Sequence, residues 1–153
     1  MKLQRTIICI TGVFFAVGFA ASQATAGAGV PGCSFGAIEM ELEITALRGR
    51  APTVSVGDTR PITANARIKK GTAVSGTTID TTLTIEAVDG ETVIDTKSTP
   101  VRLGVGQGGK GATLPMSISQ CNSGAIVFVA TFSGRDEDGD LCIATGRLTK
   151  TCN

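Results

Sequence analysis

Three aspartates at alternate positions, Asp136, Asp138 and Asp140, combine a residue type and a spacing that could bind a metal ion. Closely spaced carboxylates on a turn supply the oxygen ligands that a hard cation such as Ca²⁺ prefers. An EF-hand loop places its glycine after the third acidic position and closes with a glutamate, whereas Gly139 precedes Asp140 here and no glutamate follows. Two interpretations stay open: a Ca²⁺ site, or a solvated hairpin tip whose charges discourage edge aggregation.

A second row of carboxylates comprises Glu39, Glu41 and Glu43, which alternate with apolar residues. On a strand these three side chains would share one face, where they could bind a cation or act as an acid–base pair. An enzyme built on them would be a carboxylate-based hydrolase. The other interpretation is the solvated face of an ordinary strand.

The glycine-rich stretch at 104–111 matches the first part of a phosphate-binding P-loop, G-x-x-x-x-G-K. Gly111 stands where a P-loop requires the serine or threonine that binds Mg²⁺. The following residues contain an early proline, Pro115, and alternate like a strand, whereas a P-loop opens a helix. We therefore expect an inter-strand loop here and no nucleotide.

The sequence of 153 residues contains no histidine, no tryptophan and no tyrosine. The lack of histidine excludes a histidine general base, a Ser-His or Cys-His nucleophile pair and an imidazole metal ligand. The lack of tryptophan and tyrosine removes the usual aromatic anchors of interfaces and of base-stacking surfaces. These absences predict a protein that is not an enzyme, that does not bind nucleic acid, and whose only candidate cofactor is Ca²⁺.

Residues 1–26 are typical of a secretory signal peptide, which would leave 27–153 as the mature domain. A short basic start precedes an apolar run at 7–21, and the Ala-Thr-Ala at 24–26 matches the small-x-small cleavage pattern. An uncleaved anchor is one alternative, although the run of about 15 residues is shorter than the roughly 20 that span a bilayer. A lipoprotein is another, because 30–33 (Val-Pro-Gly-Cys) loosely resembles a lipobox. The predicted location is the periplasm, the cell surface or the extracellular space.

Cleavage would also change the net charge. It would remove Lys2 and Arg5 from a total of 14 basic residues and none of the 13 acidic residues. The mature charge is then about −1, which offers no electrostatic attraction to nucleic acid or an anionic membrane. A mature chain of about 127 residues suits one domain with one core. No second apolar run is long enough to span a membrane.

The cysteines predict a disulfide framework. Of the five, Cys9 lies in the predicted signal, which leaves Cys33, Cys121, Cys142 and Cys152 in the mature chain. An even number in an exported protein favours disulfides over reactive thiols. No two of them have the C-x-x-C spacing of a redox or zinc site, so we expect two disulfides.

The dominant pattern along the chain is the alternation of apolar and polar residues, which predicts strands. Asp89-Gly90 between two such runs predicts a hairpin with a type I′ turn, and Pro100 is expected to end the return strand. Turn residues separate the runs, and no helical period is found, which together favour a β-sandwich of seven or eight strands. The predicted strands lie at 38–44, 62–68, 79–87, 91–98, 101–105, 112–119, 126–132 and 141–150.

This order of elements resembles the immunoglobulin-like and fibronectin-type-III-like exported domains, including bacterial adhesion modules. The resemblance is carried by 62–68, by the hairpin at Asp89-Gly90 and by the hairpin 126–148, and it covers residues 35–152. The central tryptophan and the tyrosine corner of antibody-type domains are missing. The resemblance implies an all-β, immunoglobulin-like antiparallel β-sandwich that acts as a structural, adhesive or recognition module.

The last predicted hairpin indicates how the cysteines pair. If Phe132 lies opposite Cys142, then Cys152 lies next to Cys121 across the hairpin. Cys142 would stand about ten residues from Cys152 on one strand, roughly 33 Å away, whereas bridged Cα atoms lie within about 7 Å. A bridge from Cys142 to Cys121 fails for the same reason. The remaining pairing is Cys33–Cys142 with Cys121–Cys152.

The sequence as a whole predicts an exported, non-catalytic structural, adhesive or binding module of the cell envelope or extracellular space. A protein or a surface glycan is the expected kind of partner. The alternatives are a Ca²⁺-dependent adhesion module and a carboxylate-based hydrolase.

Overall fold

The computed structural model of the protein describes residues 33–35, 38–70, 78–136 and 139–153, with side chains at 42–69, 78–136 and 139–153. The predicted signal peptide and its cleavage site lie outside these residues. Every regular element in the described ranges is a β-strand. The strands are β1 (Cys33–Phe35), β2 (Ile38–Gly49), β3 (Thr53–Val54), β4 (Thr59–Lys70), β5 (Thr78–Asp89), β6 (Thr92–Gly104), β7 (Lys110–Ser117), β8 (Ala125–Arg135) and β9 (Leu141–Cys152).

The strands form two sheets. One has four strands in the order β1-β2-β4-β7, and the other has five in the order β3-β9-β8-β5-β6. The predicted all-β, two-sheet architecture is therefore confirmed. The pairing is antiparallel throughout the named strands except between β3 and β9, which run parallel, so the expectation of a purely antiparallel sandwich was wrong at this edge. None of the described residues belongs to a helix that could cross a membrane.

The core lies between the inward faces of the two sheets, and strict alternation places the apolar residues there. In β5, Leu83 and Ile85 are fully buried while the intervening threonine stays partly solvated. In β8, Phe128 and Phe132 are the largest fully buried side chains of the described core. Because side chains of a strand alternate between faces, β5, β8 and β9 bury every second residue along most of their length against the other sheet.

The strand count differs from the seven or eight predicted, because the structure describes nine. β1 and β3 have only three and two residues, too few for alternation to mark them. The predicted strands 91–98 and 101–105 form the single strand β6, in which Pro100 pairs with Thr82. Pro100 therefore does not end the strand. A proline is tolerated there because β6 is the edge strand of its sheet. Among the described strands, none lies on its outer side to receive the hydrogen bond that proline cannot donate.

The hairpin at Asp89-Gly90 is confirmed, but its turn type was predicted wrongly. Asp89 pairs with Thr92, which makes Gly90 and Glu91 the two central residues. Gly90 has a φ of +62°, and Glu91 does not have a positive φ. A type I′ turn needs positive φ at both positions, whereas a type II′ turn needs it only at the first, where glycine is preferred. Placing the glycine first therefore produces the pattern of a type II′ turn.

Gly111 marks a close approach between β4 and β7, where it pairs with Asn65. A Cβ at this position would overlap the carbonyl oxygen of Ala64. We expect Gly111→Ala to lower the free energy of unfolding by about 1–3 kcal/mol, because backbone must move to relieve the overlap. Urea unfolding followed by far-ultraviolet dichroism measures this loss.

Gly108→Ala is the matched control, because a Cβ at Gly108 would meet no atom within 4 Å. Its free energy of unfolding should stay within about 0.5 kcal/mol of the wild type. Equal midpoints for the two variants would contradict the close approach at Gly111.

Candidate functional site

The predicted Ca²⁺ cluster is only partly described, because Asp138 lies outside the described residues. Asp136 and Asp140 brace the turn between β8 and β9. The Asp136 carboxylate accepts a hydrogen bond from the Asp140 backbone N–H (2.8 Å), and the Asp136 N–H donates to the Asp140 carbonyl (3.0 Å). These bonds give the Asp136 carboxylate a structural role in the turn. The Ca²⁺ site at Asp136, Asp138 and Asp140 stays a prediction.

Calorimetry decides between the two interpretations of this turn. A Ca²⁺-dependent module should release or absorb heat with saturation at or below millimolar Ca²⁺, as extracellular calcium modules do. Asp138→Asn should abolish that heat. An absence of heat up to millimolar Ca²⁺ would remove the calcium hypothesis.

Of the three glutamates in the row, the structure describes the side chain of Glu43 but not those of Glu39 and Glu41. Glu43 forms ion pairs with Lys69 (2.7 Å) and Arg67 (3.1 Å) of the neighbouring strand β4. The hydrogen bond from Lys69, and to a smaller extent the one from Arg67, lowers the pKa of Glu43 below its ordinary value. A general acid needs a raised pKa, so this environment favours a cross-strand ion pair over acid catalysis by Glu43.

The glycine-rich stretch connects two strands, as expected. β6 ends at Gly104, and β7 begins at Lys110, which pairs with Ala66 of β4. The Lys of the P-loop-like pattern therefore starts a strand, whereas a phosphate-binding loop would present it at the start of a helix. Gly106, with a φ of +71°, allows the chain to turn between the two strands.

The Cys121–Cys152 disulfide is confirmed, with 6.1 Å between the Cα atoms. The register behind its prediction differs by two residues, because Gly134 and not Phe132 lies opposite Cys142. A shift of two keeps every side chain on its own face of the sheet. Cys152 therefore still reaches the residues just before β8, where its N–H donates to the carbonyl of Gly124 (3.0 Å).

The second predicted disulfide is described at one end only. Cys142 is fully buried and disulfide-bonded. The side chain of Cys33 lies outside the described set, so the pairing Cys33–Cys142 stays a prediction.

Asp89 holds together two loops at one end of the sandwich, a role that the sequence analysis did not predict. It is only 4% exposed, and its carboxylate accepts hydrogen bonds from the N–H groups of Asn122 (2.7 Å) and Ser123 (2.8 Å). The bonds from Ser123 and Asn122 hold the pKa of Asp89 below its ordinary value of 3.8. An aspartate at the end of a strand, just before a turn glycine, was the available sequence signal.

Asp89 makes a pH dependence predictable. Because its pKa is lower in the folded state, its stabilising effect is complete above the ordinary value of 3.8 and is lost as the pH falls through the folded-state pKa. Asp89→Asn should therefore lower the urea midpoint near neutral pH, and the difference from wild type should shrink at about pH 2. Glu91→Gln, at an exposed position two residues along the chain, is the control. A difference that is equally large at both pH values would contradict this account.

An apolar opening between the two sheets lies where β2 ends and β4 begins. It is a cavity of about 280 Å³, which we call the inter-sheet mouth. Elements of both sheets contribute to it. Its lining residues are Gly49, Arg50, Ala51, Val54, Arg60, Pro61, Ile62, Phe128 and Lys150.

Two of the cations in the inter-sheet mouth occupy core-facing positions of their strands. Arg60 shares the inward face of β4 with the buried Ile62, and Lys150 shares the inward face of β9 with the buried Leu148. Lys150 Nζ donates to the carbonyl of Gly49 across the gap between the sheets (3.3 Å). The sequence does contain an indication of these two residues, because each is a cation at a position where the alternation predicts an apolar residue.

Arg60 forms an ion pair outside the mouth, and a second groove adjoins the mouth. Arg60 Nη2 lies 2.6 Å from the Asp58 carboxylate, which sits outside the lining of the mouth. A second groove of about 440 Å³ adjoins the mouth on the outer face of the four-stranded sheet, and it shares Gly49, Arg50 and Pro61 with the mouth. Arg48 also lines this groove, so the basic surface continues outward from the mouth.

Comparison of the chain with protein-family models, curated proteins and solved structures finds no match.

Proposed function

We propose that the protein is an exported, non-catalytic module that acts by binding, with the inter-sheet mouth as its recognition site. One observation carries this proposal: the mouth combines an apolar floor with basic side chains. Among the described residues that line it, none carries a carboxylate, a hydroxyl or a thiol. Such a lining can hold and orient a molecule, but it supplies neither a nucleophile nor a general base near neutral pH.

The path of the chain between the sheets supports an immunoglobulin-like or fibronectin-type-III-like kinship. The chain passes from β4 in one sheet to β5 and β6 in the other, returns for β7, and ends with the hairpin of β8 and β9. Such repeated crossings between two packed sheets are typical of Greek-key sandwiches. The Cys121–Cys152 bridge differs from the inter-sheet bridge of antibody domains, because it joins the two ends of one hairpin.

Export is supported by the disulfides and by the sequence at 1–26. Cys121–Cys152 and the disulfide-bonded Cys142 are typical of proteins in an oxidising compartment, such as the periplasm or the extracellular space. We propose Cys33 as the partner of Cys142. That bridge would tie the start of the mature domain to its last strand.

Native mass spectrometry of the exported protein tests the proposed function. The full chain is expressed in its source cell, collected from the exported fraction and compared with two variants. The mouth variant carries Arg50→Gln and Lys150→Met. The carboxylate variant replaces the two acidic clusters by their amides, at Glu39, Glu41, Glu43, Asp136, Asp138 and Asp140.

The proposal predicts that the wild type is exported with a bound species, which the carboxylate variant keeps and the mouth variant loses. Circular dichroism of each variant confirms that it is folded. Retention inside the cell, a protein without any bound species, or loss of that species only in the carboxylate variant would contradict the proposal.

A further inference from the structure

We propose that the inter-sheet mouth binds a small amphipathic anion, namely a monocarboxylate with a short aliphatic chain. The apolar chain would point to Phe128, and the carboxylate would lie between Lys150 and Arg50. This inference rests on the proposed binding function, for which it names the class of ligand.

The floor of the mouth is apolar and comes from three different strands. Val54 of β3, Ile62 of β4 and Phe128 of β8 line it, and each is at most 2% exposed in the folded protein. A ligand group that reaches these side chains finds no hydrogen-bond partner on them, so a polar group there would lose its bonds to water without replacement. The floor therefore selects an aliphatic or aromatic group.

The rim of the mouth is basic. Lys150 projects from the inward face of β9, and its ammonium group donates one of its three N–H bonds to the Gly49 carbonyl. Arg50 is exposed at the end of β2, beside Gly49. A carboxylate between these groups would gain charge-assisted hydrogen bonds in a place that is partly shielded from water.

The size of the mouth limits the ligand. Its volume of about 280 Å³ lies just below the range of roughly 300–1,000 Å³ for pockets that bind drug-sized ligands. Gly49 keeps this space open, because a Cβ there would lie 2.8 Å from Ile62 Cδ1 and 3.8 Å from Lys150 Cε. One carboxylate with a short chain fits these limits, whereas a long acyl chain exceeds them.

A series of three probes of equal chain length tests the assignment on the exported protein. The probes are octanoate, octan-1-ol and octylammonium, and binding is followed by the methyl NMR signals of Val54 and Ile62. Octanoate should shift these signals with saturation, octan-1-ol should bind about tenfold more weakly, and octylammonium should leave them unchanged.

Three variants distinguish the contribution of the Lys150 charge to binding from that of the volume of the mouth. Lys150→Met keeps an unbranched apolar stem without the ammonium group, so it should weaken octanoate binding about tenfold and leave octan-1-ol binding unchanged. Lys110→Met, at an exposed position in β7, is the matched control and should bind octanoate as the wild type does. Gly49→Ala should weaken octanoate and octan-1-ol alike, since it fills the mouth. Urea midpoints near the wild-type value show that each variant is folded.

Equal affinities for octanoate and octan-1-ol, or an octanoate affinity that Lys150→Met does not change, would overturn the assignment. So would octanoate shifts confined to methyl groups away from the mouth. These failures differ from failure of the proposed function. If native mass spectrometry finds a bound species on the wild type that the mouth variant loses, the proposed binding function is supported even when octanoate does not bind.

Discussion

Phe132→Ala is expected to lower the free energy of unfolding by about 3–5 kcal/mol, which is the usual cost of removing a buried phenyl ring. Phe132 lies on the inward face of β8, a strand with neighbours on both sides, and it is fully buried. The chain has only six phenylalanines and no tryptophan or tyrosine, so few large side chains can move to fill the space. Loss of a large part of the total stability follows, because domains of this size are stable by only about 5–15 kcal/mol.

Urea unfolding followed by far-ultraviolet dichroism measures the effect. Thr131→Ala is the matched control, because Thr131 neighbours Phe132 on the same strand and lies on the opposite, partly solvated face. Its midpoint should stay close to the wild type, within about 0.5–1 kcal/mol. A Phe132→Ala variant as stable as Thr131→Ala would show that β8 does not bury this face.

Replacing both Cys121 and Cys152 by alanine is expected to cost about 3–4 kcal/mol. The bridge spans a separation of 31 residues, and in the chain-entropy model a loop of this length restricts the unfolded chain by about that amount. The bridge also holds the end of β9 beside β3, where the Asn153 N–H donates to the Val54 carbonyl (3.0 Å). Val54 belongs to the floor of the inter-sheet mouth, so the double variant should bind octanoate more weakly than the wild type as well.

The double variant avoids the free thiol that a single substitution would leave to exchange with other cysteines. Its urea midpoint under non-reducing conditions is compared with that of the wild type. Reduction of the wild type should lower the midpoint further than the double variant does, because it also opens the disulfide of Cys142. Identical midpoints for the wild type and the double variant without reductant would contradict a stabilising role for Cys121–Cys152.

Alternation predicted the sandwich because both sheets bury one face. Leu83 in β5 stands in a run where every second residue is apolar, which is typical of a half-solvated strand. Phe132 in β8 ends a nearly continuous apolar run at 126–132, which predicts a central strand, and its alternating burial is seen only in the structure. The same period fixed which side chains point inward. A two-residue error in the β8–β9 register therefore left Cys142 on the correct face.

The features that the sequence did not predict depend on neighbours distant in the chain. Pro100 lies inside a strand because β6 is an edge, and an edge is a property of the assembled sheet. Val54 belongs to a two-residue strand that exists only beside the end of β9. Lys150 belongs to the candidate site because it meets Gly49 of the other sheet, 101 residues away.

Intact-mass analysis of the exported protein, with peptide mapping under non-reducing conditions, tests most directly the central claim of an exported domain held by two disulfides. The account predicts a chain that begins at Gly27 and lacks the thiol hydrogens of all four mature cysteines, with peptides linked as Cys33–Cys142 and Cys121–Cys152. A chain that keeps residues 1–26, or one with free thiols on Cys33 and Cys142, would contradict it.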